Sequence, residues 1–157
     1  MATLDAYGIE ARLPSGFEGR IYRRVPVGGA QTYPVAQFTT FALPADTADF
    51  GGAYVDQMRP TDIFAVLFEF GPDSLGKALF ARVGLPTRLT PADFSPYTLR
   101  RGTKGQGGAQ VFFTQSRRPF TLYVVLGSYS QRLVLVPRVN DLLAGLTVRA
   151  PSPAGVP

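Results

Sequence analysis

The sequence predicts an α+β domain: a single, mostly antiparallel sheet of about six or seven strands with two short helices packed on it. Three observations predict it. The 157 residues fit one domain. Short runs with the alternation of half-buried strands recur between Gly- and Pro-bearing turns. Two windows, one opening at Pro72 and one near Pro137, carry helix start and stop signals.

Taken in order, Ile9, Ala11 and Leu13 alternate against Glu10 and Arg12, which predicts a strand. Pro14–Ser15–Gly16 turns the chain, and Phe17 to Val27 reads as a second strand. The segment from Val27 to Pro34 is a loop, and Val35 to Leu43 is β-prone up to Pro44. The stretch Pro44 to Gly52 is irregular, with Tyr54 to Met58 as one helical turn after it. Ile63 to Phe70 is apolar at nearly every position, the mark of a central strand covered on both faces. Pro72 and Gly84 bracket a short helix, since proline suits a first helical position and glycine a stop. After a Pro-rich connection, Tyr97 to Leu126 reads as an antiparallel meander of three strands, with a Gly-rich turn and a two-arginine turn. Leu122, Val124 and Leu126 then point to one face, and Tyr123 and Val125 to the other. A second helix runs from Val136 or Pro137 to Ala144, with Val136, Val139, Leu142 and Leu143 on one stripe. Gly145 ends it and Leu146 to Val148 returns to the sheet. The domain spans 1–149, and the Pro- and Gly-bearing 150–157 is expected to be a disordered tail.

Composition removes several function classes. A chain of this size buries about 70% of the surface its unfolded form exposes. With 45% hydrophobic residues and 12 Phe, it can build a core without disulfide or metal. The sequence holds no His, Cys or Trp. The usual general base, the thiolate nucleophile and the common zinc ligands are therefore missing. The domain is not expected to be an enzyme, and no cofactor is expected.

"GIEARLPSGFEGRIYRR" (8–24) and "RPFTLYVVLGSYSQRLVLVPRVNDLLAGLTV" (118–148) carry a resemblance. The first is similar to the opening strand and LP-x-G-aromatic phrase of Mog1/PsbP-like domains, the fold of Mog1 and the photosystem II protein PsbP. The second resembles their last long strand, C-terminal helix and short closing strand. Small actinobacterial proteins and secreted domains share the pattern. The resemblance implies a non-catalytic adaptor or assembly factor, since members bind a small GTPase or a photosystem. It transfers no partner-binding residue, because no short motif matches.

Two motifs with catalytic overtones fail on their own chemistry. "GPDSLGKA" (71–78) fits G-x-x-x-x-G-K after an apolar strand, the spacing of a phosphate-binding loop. Ala78 stands where the magnesium-binding hydroxyl belongs, and Pro72 removes a backbone donor. Ser95, Ser128 and Ser130 lack a base at a nucleophile's spacing. Among the carboxylates, Asp46, Asp49, Asp56, Asp62 and Glu69 are acid/base candidates. Glu69 lies inside an apolar strand, where burial requires a partner. An arginine from a neighbouring strand is the expected one.

Charge is the feature that points to a surface. Residues 1–94 hold eight basic and ten acidic side chains, whereas 95–157 hold eight basic side chains and only Asp141. Arg100, Arg101, Lys104, Arg117 and Arg118 fall at meander turns and are expected to form one basic patch for an acidic ligand or partner. The basic residues are not interleaved with a nucleic-acid-binding signature, so nucleic acid is not the expected ligand.

Three functions follow in order of expectation. The first is a non-enzymatic binding or assembly-accessory domain with another protein as partner. The second is a module that binds an acidic ligand or polyanion through the basic C-terminal half, and the third an enzyme built on carboxylates and arginine. No window approaches the roughly 18 apolar residues of a membrane span. Asp5 and Glu10 interrupt the opening, so it does not read as a signal peptide. A cytoplasmic location is the expectation, and an envelope or secreted form would require a leader ahead of Met1.

Overall fold

Strand alternation and two-residue turns set the architecture. The computed structural model describes residues 2–101 and 103–151. Among the described residues there are eight strands: β1 Thr3–Ala6, β2 Ile9–Arg12, β3 Glu18–Arg23, β4 Pro34–Thr39, β5 Ile63–Glu69, β6 Gly107–Gln115, β7 Arg118–Leu126 and β8 Leu146–Val148. One α-helix, α1, spans Arg132–Ala144. All strand pairs between these elements are antiparallel. The chain is thus α+β, with mostly antiparallel sheets and few helices.

The strands are divided between two sheets, where the sequence predicts a single sheet of six or seven. One has the order β1-β2-β8 and the other β3-β4-β5-β7-β6. The division falls between β2 and β3. Pro14 and Gly16, the latter at φ 88°, turn the chain at that corner, with the Phe17 N–H bonded back to the Pro14 carbonyl. Strand β1 then passes beside β3 without pairing to it. Gly19 of β3 permits the approach, because a Cβ there would sit 2.7 Å from Phe38 and 3.1 Å from Leu4. β1 is an addition to the expected strands: its four residues alternate Leu4 and Ala6 against Thr3 and Asp5, a run too short to mark a strand alone.

Strands β5 and β7 form the centre. Ile63, Ala65 and Leu67 face the main core with Leu122, Val124 and Leu126, while Phe64, Val66, Tyr123 and Val125 face the other side. Helix α1 covers the first face through Leu135, Val136, Val139, Leu142 and Leu143. The small sheet joins the same core through Ile9, Ala11, Leu146 and Val148. Each fully buried Val, Leu, Ile or Phe among them stabilises the fold by about 1.5–3 kcal/mol. The second face is covered by irregular chain, chiefly Phe41, Leu43, Phe50, Val55 and Met58. The segment around Tyr54 is a 3-10 turn, Gly52–Gln57.

Helix α1 starts about a turn earlier than Pro137 suggests. Pro137 lies inside it on the exposed side, where the hydrogen bond that proline cannot donate is lost next to solvent. The helix expected between Pro72 and Gly84 is replaced by two 3-10 turns, Pro72–Ser74 and Ala78–Phe80. Gly76 breaks the segment at φ 82°. Leu79 and Val83 are exposed and only Phe80 is buried, so a helix here would have no apolar stripe to bury. Tyr97–Arg101, expected as a strand, is irregular, and Ser95 makes a bridge to Gly108 instead. The sequence-predicted tail lies outside the described residues from 152 onward. Among the described residues, no helix is long and apolar enough to cross a membrane.

Candidate functional site

Successive turns of an antiparallel meander lie at opposite ends of its strands, and this decides where the basic residues go. Ser116 and Arg117, at φ 54° and 60°, form the two-residue turn between β6 and β7. Residues Arg100, Arg101 and Lys104 precede β6 and lie at the other end of the pair, beside Gly107 and Leu126. The nine residues of β7 separate the two groups, a span of about 27 Å. The expected five-residue patch is therefore two separate groups.

The first group is held locally. The Arg100 guanidinium lies 4.1 Å from the Phe50 ring centre, and the Arg100 backbone N–H donates to the Tyr123 hydroxyl at 2.8 Å. Arg101 is ion-paired to Asp56 at 2.7 Å. That pairing, with a hydrogen bond from Thr103, holds the Asp56 carboxyl below its ordinary value. Lys104 is exposed with no carboxylate partner among the described residues.

The second group meets residues from across the chain. Arg118 is buried and donates to Glu69 through Nη2 at 2.6 Å and Nε at 3.1 Å. This is the strand-to-strand arginine expected for Glu69. Its remaining donors reach the small sheet: Nη1 to the Arg149 carbonyl at 3.1 Å and Nη2 to the Tyr7 carbonyl at 2.9 Å. Gly8, at φ 78°, leaves the room, because a Cβ there would sit 2.6 Å from Nη1 of Arg118. The same pattern of arginine pairing holds at Asp49 with Arg24, Asp56 with Arg101 and Asp62 with Arg59. The carboxylates singled out in the sequence thus serve mainly in structural ion pairs.

Above the Arg118–Glu69 pair opens a groove of about 960 Å³. Its walls are the Tyr7–Gly8 turn, the end of β3, the loop entering β4 and the Ser116–Arg117 turn, with Ala150 and Pro151 along one side. Arg149 lines it and is ion-paired to Asp5 at 2.7 Å. Arg23 lines it with its guanidinium 5.8 Å from the Tyr7 ring centre and donating to the Thr32 carbonyl at 2.8 Å. Arg23 and Arg117 have no carboxylate partner among the described residues. Tyr7, Tyr33, Leu75 and Pro119 add apolar surface. The groove can therefore take an extended segment that is apolar in part and carries negative charge.

Beside it lies a smaller pocket of about 280 Å³, whose wall includes Phe68, Phe70, Tyr33 and Asp49. Asp49 accepts from the Tyr22 hydroxyl and from Arg24 Nε, both at 2.7 Å. Burial, and then the neighbouring Asp49 carboxylate, push the Tyr22 phenol well above its ordinary value. Of the groove's cations, sequence reasoning found Arg117 and Arg118 and missed Arg23 and Arg149. Their convergence depends on pairings between the two chain ends, for which no local pattern exists. No family model matches the chain, and no match is found among curated proteins or among solved structures.

Proposed function

We propose that this is a non-enzymatic binding or assembly-accessory domain of the Mog1/PsbP-like kind. Its binding face is the groove over Arg118 and Glu69, and its partner is another protein that offers an extended acidic segment. The observation that carries the proposal is the state of the four groove arginines. Arg118 and Arg149 are neutralised by Glu69 and Asp5, whereas Arg23 and Arg117 line the same groove without a carboxylate partner among the described residues. Arginine suits bidentate contact with a carboxylate, and the aromatic and proline surface beside it suits an extended backbone. A polyanion spread over both ends of β7 is disfavoured by the separation of the two cation groups.

The test is selection from a library of random extended peptides. Selected sequences are expected to be acidic, and their binding to weaken as salt shortens the Debye length to about 8 Å at physiological ionic strength. The Arg23→Ala/Arg117→Ala variant should lose that binding while remaining folded, because both side chains are exposed. Peptides without acidic character, or equal binding by the variant, would overturn the proposal.

A further inference from the structure

We infer that β3 is a strand acceptor: its free edge adds the partner's extended acidic segment as a sixth strand of the large sheet. The inference rests on the groove being the binding face and specifies how the segment is held. β3 is an edge strand, since the five-stranded sheet begins with it. Which of its backbone groups are free follows from hydrogen-bond alternation. The Thr40 N–H donates to the Ile63 carbonyl at 3.2 Å, so Ala36 and Phe38 of β4 bond to β5. Val35, Gln37 and Thr39 then bond to Tyr22, Arg20 and Glu18 of β3. This leaves the N–H and C=O groups of Gly19, Ile21 and Arg23 directed away from the sheet, and none has a backbone partner among the described residues.

Leu4 closes over Gly19, whereas Arg23 lines the groove. The usable edge is therefore Ile21 to Arg23, with four unpaired backbone groups leading into the cationic end. Soluble proteins commonly block such an edge with a bulge. The β3–β4 register runs unbroken from Glu18↔Thr39 to Arg23↔Pro34. Arg20, which could shield the edge, is instead tied inward to Gln37 and to the Pro44 carbonyl. Backbone bonds to Ile21 and Arg23 would supply affinity and register, and alternate acidic side chains would meet Arg23 and Arg117. A second copy of this chain fits less well, because it carries a net charge of +5 and brings the same arginines to the seam.

The experiment follows amide exchange by NMR in the full chain, with a capped heptapeptide alternating valine with glutamate or aspartate. Saturating peptide should slow exchange at Ile21 and Arg23 by about tenfold or more. Two analogues, N-methylated on odd or on even residues, should separate, with one losing affinity. If the peptide binds in an Arg117-dependent manner and these amides are unaffected, strand addition falls while the groove remains the binding face. Failure to bind at millimolar peptide overturns strand addition and leaves the groove to be judged by the library selection. If the amides slow without peptide as protein concentration rises, the edge belongs to a second copy and the inference is wrong.

Discussion

Arg118 holds Glu69 by two parallel hydrogen bonds inside the protein, and the same guanidinium donates to the carbonyls of Tyr7, in the β1–β2 turn, and Arg149, just past β8. One side chain thus joins the two sheets. Removing one partner of a buried pair leaves an uncompensated charge, so Arg118→Met should cost about 3–5 kcal/mol in urea unfolding. Replacing both partners by apolar residues should cost less than the sum of the single changes. A loss below about 1 kcal/mol for Arg118→Met would show that the sheets are held by other contacts.

Leu142 is fully buried where α1 meets the five-stranded sheet. Leu142→Ala should destabilise by about 2–5 kcal/mol, the lost transfer energy plus the cavity left behind. Leu133→Ala, on the exposed side of the same helix, should change stability by less than about 0.5 kcal/mol. Equal effects at the two positions would contradict the packing.

Asp56 is held below its ordinary value of 3.8 first by the hydrogen bond from Arg101 and then by that from Thr103. The folded form therefore favours the carboxylate. This contribution is present above the unfolded value and is lost as pH falls through the folded one. Carbon-detected NMR titration should place Asp56 below 3.8 in the parent, and Arg101→Gln should raise it. An unchanged midpoint would mean that the pair does not form in solution.

Tyr22 and Tyr123 both have raised phenol values, Tyr22 through burial and then Asp49, and Tyr123 through burial. A raised value stabilises the folded state below the ordinary tyrosine range, and the effect is lost as pH climbs through the folded value. Alkaline titration at the phenolate absorbance should show these two of the seven tyrosines ionising late, together with unfolding. Asp49→Asn should lower the Tyr22 midpoint. If all seven ionise in one step near the ordinary value, the burial of Tyr22 is wrong.

Local signals carried the C-terminal third of the fold. The alternation in Leu122–Leu126 and the stripe Val136–Leu143 are each a periodicity within one element, so the residues themselves report which face is buried. Glu69 announced its partner for a related reason: a carboxylate in an apolar strand needs a counter-charge, and β7 is the paired neighbour. What was not legible depended on separation along the chain. β1 alternates Leu4 and Ala6 against Thr3 and Asp5 over only four residues, too short a run to mark a strand by itself, and it exists by pairing with β2. The Pro72 segment has proline and glycine at the right ends, but its leucines find no core to cover. The basic patch failed on geometry, since counting arginines at turns ignores that neighbouring turns lie at opposite strand ends.

The pairing of β2 with β8 has a consequence for biosynthesis. β2 leaves the ribosome before the large sheet and α1, and Leu146–Val148 leaves after them. The β1–β2 hairpin must wait, with Ile9 and Ala11 uncovered, while the large sheet and α1 assemble. Isolated hairpins are marginal in water, so the small sheet closes only when β8 arrives and Arg149 reaches Asp5. Arrival of β8, rather than synthesis of any earlier segment, is the event that completes the groove.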